Sequence, residues 1–236
     1  MKLIQHYSSS KGNLYEVVAS NGHRLIIDPG VSRVKLLRAI GTVDKVDAFL
    51  LTHEHKDHSR AAVYLSRLGV PCYGSLGTIN GSSIKGHDTA LPVKAEQWHK
   101  ISDTFEIWPF NLVHDAVEPT GFWIHDKCRN MNLLFVGETQ FIPYEFYELF
   151  DIIALNVSYD KDILYKRVEE DTINLKLAKR LRECHLSTDE ALNFLNDLDL
   201  SRCEEIHLLH VSADNCDKKK LINRLTDQTW RTIITL

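Results

Sequence analysis

The chain has 236 residues, 44% hydrophobic and 25% charged, with 28 Lys plus Arg against 32 Asp plus Glu for a net charge of −4. That is the composition of an ordinary globular protein, long enough for one large domain over residues 1–236, and it excludes a low-complexity chain or one charged overall to coat a polyanion. The five cysteines, at 72, 128, 184, 203 and 216, lack CxxC spacing and read as reduced intracellular thiols. The start, MKLIQHYSSSKGN, is too polar for a signal peptide, and no apolar run approaches a membrane span. A cytoplasmic protein without a membrane partner is therefore expected.

In chain order, LYEVVAS and RLIIDPG are β-rich runs around Asn21–Gly22, a dipeptide that favours a tight hairpin. SRVKLLRAIG has helical spacing and stops at Gly41. VDAFLLT reads as a buried strand, SRAAVYLSRLG as a helix closing at Gly69, and VPCYGS as the next strand. Residues 93–125 read as the strands KAEQW, TFEIWPFNLV and TGFWIH, and NLLFVGET and DIIALNVS as two more. Helices follow at about 173–184 and 187–197, the second opening with the capping-box pair Ser187 and Glu190. EEIHLLH is a strand, DKKKLINRL a helix and WRTIITL a final strand. The charge mixture KRVEEDTINLKLAKRLR reads as a solvated helical face, from which Lys176, Lys179 and Arg180 could attract phosphate. One strand-rich half with helices followed by another predicts an α/β fold, an αββα sandwich of two packed mixed β-sheets with helices outside.

The chemistry concentrates in LLTHEHKDHSRAA, residues 50–62, where His53, His55, Asp57 and His58 fall within six positions. Zinc and similar ions accept imidazole and carboxylate ligands, and a loop between a strand and a helix is where a rigid scaffold presents them. A helical H-E-x-x-H site would need His where Asp57 stands, so the pattern is H-x-H-x-D-H. Four such side chains exceed what one catalytic zinc takes while keeping an open position, so further ligands elsewhere would imply two ions.

THEHKDH resembles the signature of the metallo-β-lactamase-fold hydrolases, and the resemblance extends over nearly the whole chain. IIDPG, with Asp28, resembles the first motif, HDAVEPTGF, with His114, the third, and LLHVSADN, with His210, the last. VGETQ stands where the family has a Gly-Asp-Thr-like segment. SSSKGNLY and CHLSTDEA are similar to stretches of the YycJ-like branch, which includes phage anti-Pycsar enzymes that destroy cyclic pyrimidine nucleotides used as antiviral signals. The resemblance implies that His53, His55 and His114 hold one ion and Asp57, His58 and His210 the other. Glu138 takes the bridging place that the family gives to Asp, and Asp28 orients a ligand by hydrogen bonding. The cofactors implied are two divalent transition-metal ions, zinc first and manganese as the alternative.

Two ions about 3.5–4 Å apart can share a water and lower its pKa. Asp57 is expected to orient that water. His185 is expected either to protonate a leaving alkoxide or to cap the helix start beside Ser187. Ser9, Ser10, Lys11 and Asn13 make a turn or stand near the substrate. His6, His23, His87, His99 and His125 read as surface or structural, and His207 as structural. The expected function is a dinuclear metal-dependent phosphodiester hydrolase, a phosphodiesterase acting on a small, cyclic nucleotide. The alternatives are an exonuclease on DNA or RNA, a lactonase or thioester hydrolase, and a non-catalytic metal-binding regulatory protein. The compact branch also implies a homodimer.

Overall fold

An antiparallel meander starts the chain: β1 (Lys2–Tyr7), β2 (Leu14–Val18) and β3 (Arg24–Ile27), with Gly22 at φ 80 in the predicted β2–β3 turn. The sheet then turns parallel through β4 (Val46–Leu50), β5 (Cys72–Gly74) and β6 (Ala90–Pro92), in the order β1-β2-β3-β4-β5-β6. Parallel neighbours need crossovers, and these carry α1 (Arg33–Ile40), α2 (Lys56–Ser59), α3 (Ala62–Arg67) and α4 (Leu76–Gly81). Ser32 caps α1 by accepting from the Lys35 N–H, and Gly41, at φ 70, ends it. Leu36 and Ile40 of α1 pack with Ile26, Phe49, Leu65 and Cys72 in one apolar cluster. Each such fully buried large side chain contributes about 1.5–3 kcal/mol.

Three antiparallel strands follow, β7 (His99–Lys100), β8 (Phe105–Asn111) and β9 (Thr120–Asp126). β10 (Met131–Val136), β11 (Ile152–Asn156), β12 (Glu205–Leu209) and β13 (Thr232–Thr235) are parallel. The hydrogen-bonded order of the second sheet is β13-β12-β11-β10-β9-β8-β7. α5 (Lys161–Glu169), α6 (Leu175–Cys184) and α7 (Thr188–Asp197) connect β11 to β12, and α8 (Lys218–Thr229) connects β12 to β13. Every residue of β11 is buried, as a parallel strand covered on both faces requires. Tyr159, Leu164, Ile173, Ala178 and Leu181 form a cluster under α5 and α6. Two mixed sheets with helices around them match the predicted α/β class.

This computed structural model describes residues 1–235; Leu236, the last residue of the expected final strand, lies outside the described residues. Cα packing divides the chain into two units, the first comprising Met1–Asn111 with Ala116–Asn132, the second Leu112–Asp115 with Leu133–Leu236. Among the described residues, no helix is long and apolar enough to cross a membrane.

Several elements depart from expectation. KAEQW is not a strand: Glu96 turns at φ 62 and its N–H bonds the Pro109 carbonyl, so pairing resumes only at β7. The charge run 166–182 is two helices, because Asp171 sits at φ 52 and Asn174 caps a new start. The helix expected over 59–69 is shorter, α3 over Ala62–Arg67, and is preceded by the separate turn of α2. β1, β6, β7, α2, α4 and the start of α5 were not anticipated.

In the first unit, three loops interlock after β1, β3 and β4. Asn13 N–H bonds the Asp57 carbonyl, Gly30 N–H the Asn13 carbonyl, and Ala61 N–H the Pro29 carbonyl. A Cβ at Gly30 would overlap the Asp57 carbonyl, and backbone cannot yield as a side-chain tip can. Gly30→Ala is therefore expected to destabilise the protein by about 3 kcal/mol, read as a lowered denaturant midpoint with the m-value unchanged.

Candidate metal centre

Except for His114, which follows the antiparallel strand β8, the candidate ligands follow the C-terminal ends of strands with a parallel neighbour, where open α/β sheets present their ligand-binding loops. In the first unit, β3 runs into Asp28 and β4 into His53, His55, Asp57 and His58. Asp28 is buried and held at φ 50. Its Oδ1 accepts the Thr52 N–H at 2.8 Å, and its Oδ2 accepts the Thr52 hydroxyl at 2.7 Å and His58 Nδ1–H at 2.8 Å. The Thr52 hydroxyl proton is thereby committed to Asp28, so its oxygen accepts from His53 Nδ1–H at 2.9 Å. His53 and His58 are thus both Nδ1–H tautomers, with the lone pair on Nε2, the ligating form. The His53 ring lies 4.6 Å from that of His55 and 4.0 Å from that of His58. Asp57 is about a quarter exposed, in the first turn of α2, with Oδ2 3.7 Å from His58 Nε2.

Ser9, Lys11 and Gly12 do form a turn, closed by Gly12 N–H to the Ser9 carbonyl at 2.9 Å. Its product is a fully buried Asn13 amide. Oδ1 accepts from Ser9 N–H and the Tyr15 hydroxyl, each at 3.1 Å, while Nδ2 donates to the Asp57 carbonyl at 3.2 Å and His58 Nε2 at 3.0 Å. An ion taken by His58 Nε2 would exchange that last bond for coordination.

In the second unit, β10 runs into Glu138, β11 into Ser158 and β12 into His210, which turns at φ 53. The His114 segment is tied to the Glu138 loop by Val113 N–H to Thr139 Oγ1 at 3.0 Å and Gln140 N–H to the Val113 carbonyl at 2.7 Å. His114 Nδ1–H donates to the Cys184 carbonyl at 2.8 Å, again directing the lone pair to Nε2. The buried Glu138 carboxylate divides: Oε2 lies 3.0 Å from His114 Nε2 and Oε1 3.1 Å from His210 Nε2. Asp115 Oδ1 is also 3.0 Å from His114 Nε2. Neutral imidazole lone pairs and carboxylate oxygens repel at this range unless a proton or a cation joins them. Separations near 3 Å are also the ligand–ligand edges of a shell with bonds of about 2.0–2.2 Å. The donor set in each unit fits a divalent transition metal.

Burial alone would lower the His114 pKa, but the hydrogen bond and charge of Glu138, the Cys184 carbonyl and Asp115 together raise it above 6.5. Burial dominates at His185 and pushes it down to about 4, so its imidazole is neutral at physiological pH. The helix start beside it is capped by Ser187, with the full capping box to Glu190. The His185 ring instead stands 5.2 Å from that of His114 and stacks on that of His210 at 5.9 Å. Arg180 donates to Asp115 through Nε at 2.7 Å and Nη2 at 3.2 Å, and Lys179 pairs with Glu183 at 3.7 Å. His6 meets Glu16, His23 Asp47, His87 Ser66, His99 the Lys94 carbonyl, His125 Asn132 and His207 Glu205. Thr52, Asp115 and the Cys184 carbonyl were missed in the sequence. Thr52, adjacent to His53, and Asp115, adjacent to His114, carried a local signal; the Cys184 carbonyl carried none.

Proton and metal compete for His114 Nε2. The stability that the His114–Glu138 pair gives the metal-free protein is fully present below pH 6.5 and lost as pH rises through the raised pKa. Metal affinity has the opposite sign: it is expected to rise about tenfold per pH unit up to that pKa and then level off. Calorimetry in buffers of different ionisation enthalpy should record one proton released per ion bound at His114 below that pKa.

Comparison with known proteins agrees with this chemistry. The model of the β-lactamase superfamily domain matches residues 23–208. Exodeoxyribonuclease YycJ of Bacillus anthracis is 23% identical over 222 residues, 88% of this chain and 81% of that protein. Among solved structures, the metallo-β-lactamase fold protein YhfI of Bacillus subtilis superposes with a TM-score of 0.75 at 15% identity, covering 99% of this chain and 95% of that one. A diphosphatase of the PhnP family superposes with a TM-score of 0.64 at 16% identity, covering 92% and 89%. The chain belongs to the β-lactamase superfamily and is a metallo-β-lactamase-fold hydrolase.

Proposed function

We propose that the protein is a dinuclear metal-dependent phosphodiesterase acting on small, cyclic nucleotides. The observation that carries the dinuclear part is the divided Glu138 carboxylate, with one oxygen beside His114 and the other beside His210. In this reading His53, His55 and His114 would hold one ion and Asp57, His58 and His210 the other, with Glu138 serving both. Bound divalent ions supply Lewis-acid polarisation of a phosphoryl oxygen and acidify water toward neutrality. Asp28, through Thr52 and directly, holds the imidazoles of His53 and His58 in their ligating tautomer. Asp57 orients the attacking water. His185, neutral at rest, takes the proton given up by the attacking water and delivers it to the leaving oxygen, which departs as the alcohol.

Phosphodiester chemistry is supported by the exodeoxyribonuclease relatives. The small substrate is supported by the net charge of −4 and by the connection from Glu138 to His210, which is occupied by β11, α5, α6, α7 and β12. The same relatives favour the second reading, an exonuclease on DNA or RNA. Turnover of the purified protein on cyclic mononucleotides, single-stranded DNA and single-stranded RNA decides: cleavage of the polymers alone overturns the cyclic-nucleotide assignment. Zinc is the ion proposed, and manganese restoring higher activity to metal-stripped protein would replace it.

Glu138→Ala is expected to lose one ion and at least about 99% of turnover, while Glu138→Asp keeps the charge, shortens the reach and retains partial activity. Glu138→Gln holding two ions at a near-native rate, by elemental analysis and kinetics, would remove Glu138 from the ligands. A homodimer is also proposed. Light scattering should then give twice the 27.1 kDa chain mass, and a monomer mass overturns it.

A further inference from the structure

At the end of β11 a short polar chain is closed off from solvent. Asn156, Ser158 and His185 are all at least nine-tenths buried. The Ser158 hydroxyl donates to Asn156 Oδ1 at 2.9 Å, and Ser158 Oγ lies 3.1 Å from His185 Nδ1. A hydroxyl has one proton, and here it is committed to an amide carbonyl. The serine oxygen can then only accept, and His185 Nδ1 must be the donor. The backbone holds the same register: Ser158 N–H bonds the Leu186 carbonyl at 3.1 Å and Thr188 N–H the Tyr159 carbonyl at 2.9 Å. The serine and the imidazole are therefore fixed to each other from both flanks.

We propose that Ser158, itself oriented by Asn156, is a positioning residue that locks His185 in the Nδ1–H tautomer and leaves Nε2 as the ring atom that meets the substrate. The catalytic part of this rests on the proton-transfer role proposed above for His185; the tautomer part does not. The arrangement parallels that of His53, where another hydroxyl, spoken for by a carboxylate, accepts from Nδ1–H. In both cases the partner oxygen decides which nitrogen carries the proton.

The test uses the full-length, zinc-loaded protein, with nitrogen-15 imidazole spectra and kinetics on two substrates. One is a dinucleotide, whose leaving alkoxide needs a proton. The other is bis(4-nitrophenyl) phosphate, whose leaving phenolate does not. The wild type should show His185 protonated at Nδ1. Ser158→Ala, and the near-isosteric Ser158→Cys, should lose that signature and cut kcat on the dinucleotide about tenfold. KM and rates on the nitrophenyl ester should stay within about twofold, and metal content should be unchanged. Ser158→Thr, which keeps the hydroxyl, should retain the signature and most of the rate. A wild-type spectrum with the proton on Nε2, or Ala and Cys variants that keep both the Nδ1–H signal and the dinucleotide rate, overturns the proposal. Lost signal with an unchanged rate overturns its catalytic part. If the wild type cleaves only cyclic mononucleotides, whose ring-opening alkoxide also needs a proton, their kcat takes the place of the dinucleotide's; if it cleaves no phosphodiester, the phosphodiesterase reading fails, and the spectra still decide the tautomer.

Discussion

The first unit is organised around one buried carboxylate. Asp28 accepts from a backbone N–H, a hydroxyl and an imidazole, and through that hydroxyl it also governs a second imidazole. A buried charge is costly unless such bonds surround it. Here those bonds also freeze three neighbours. The end of β3, the end of β4 and the first turn of α2 converge on the same two oxygens, so the geometry of the H-x-H-x-D-H loop is inherited from the sheet beneath it. The Asn13 amide completes the enclosure from the β1–β2 turn, bonding the Asp57 carbonyl and His58.

The second unit solves the same problem with different parts. No carboxylate backs His114; a helix-terminal carbonyl, that of Cys184, receives its Nδ1–H. Glu138 reaches different histidines with its two carboxylate oxygens, at 3.0 and 3.1 Å. The second anion beside His114, Asp115, is bound by Arg180. That guanidinium, which the sequence offered as an attractor of phosphate, is engaged in balancing local negative charge.

What could be read in advance was local. The candidate ligands of the H-x-H-x-D-H stretch share six residues, and the capping box at Ser187 and Glu190 lies within a single helical turn, so period and spacing reveal both. The helix start near residue 173 was legible, but the separate helix α5 before it was not, because composition does not show that Asp171 adopts a left-handed backbone and breaks the run. KAEQW failed for the same reason at Glu96. The partners that set each imidazole's tautomer were out of reach for a different reason. Asp28 lies 30 residues from His58, and Cys184 lies 70 from His114. Only the folded sheets bring such pairs together, and a backbone carbonyl leaves no mark in a sequence.

Asp28 at φ 50 and His210 at φ 53 both occupy the left-handed region at the ends of β3 and β12. Side chains other than glycine pay roughly 1–2 kcal/mol there, somewhat less for Asp and His. Folding bears this strain before any ligand arrives, so neither bend has to be created at the moment of binding. The two positions therefore sit on a gradient along which stability and chemistry point in opposite directions. Glycine at either would relax the backbone and erase the functional group, and a lineage drifting under selection for robustness alone would slide toward an inert, sturdier scaffold.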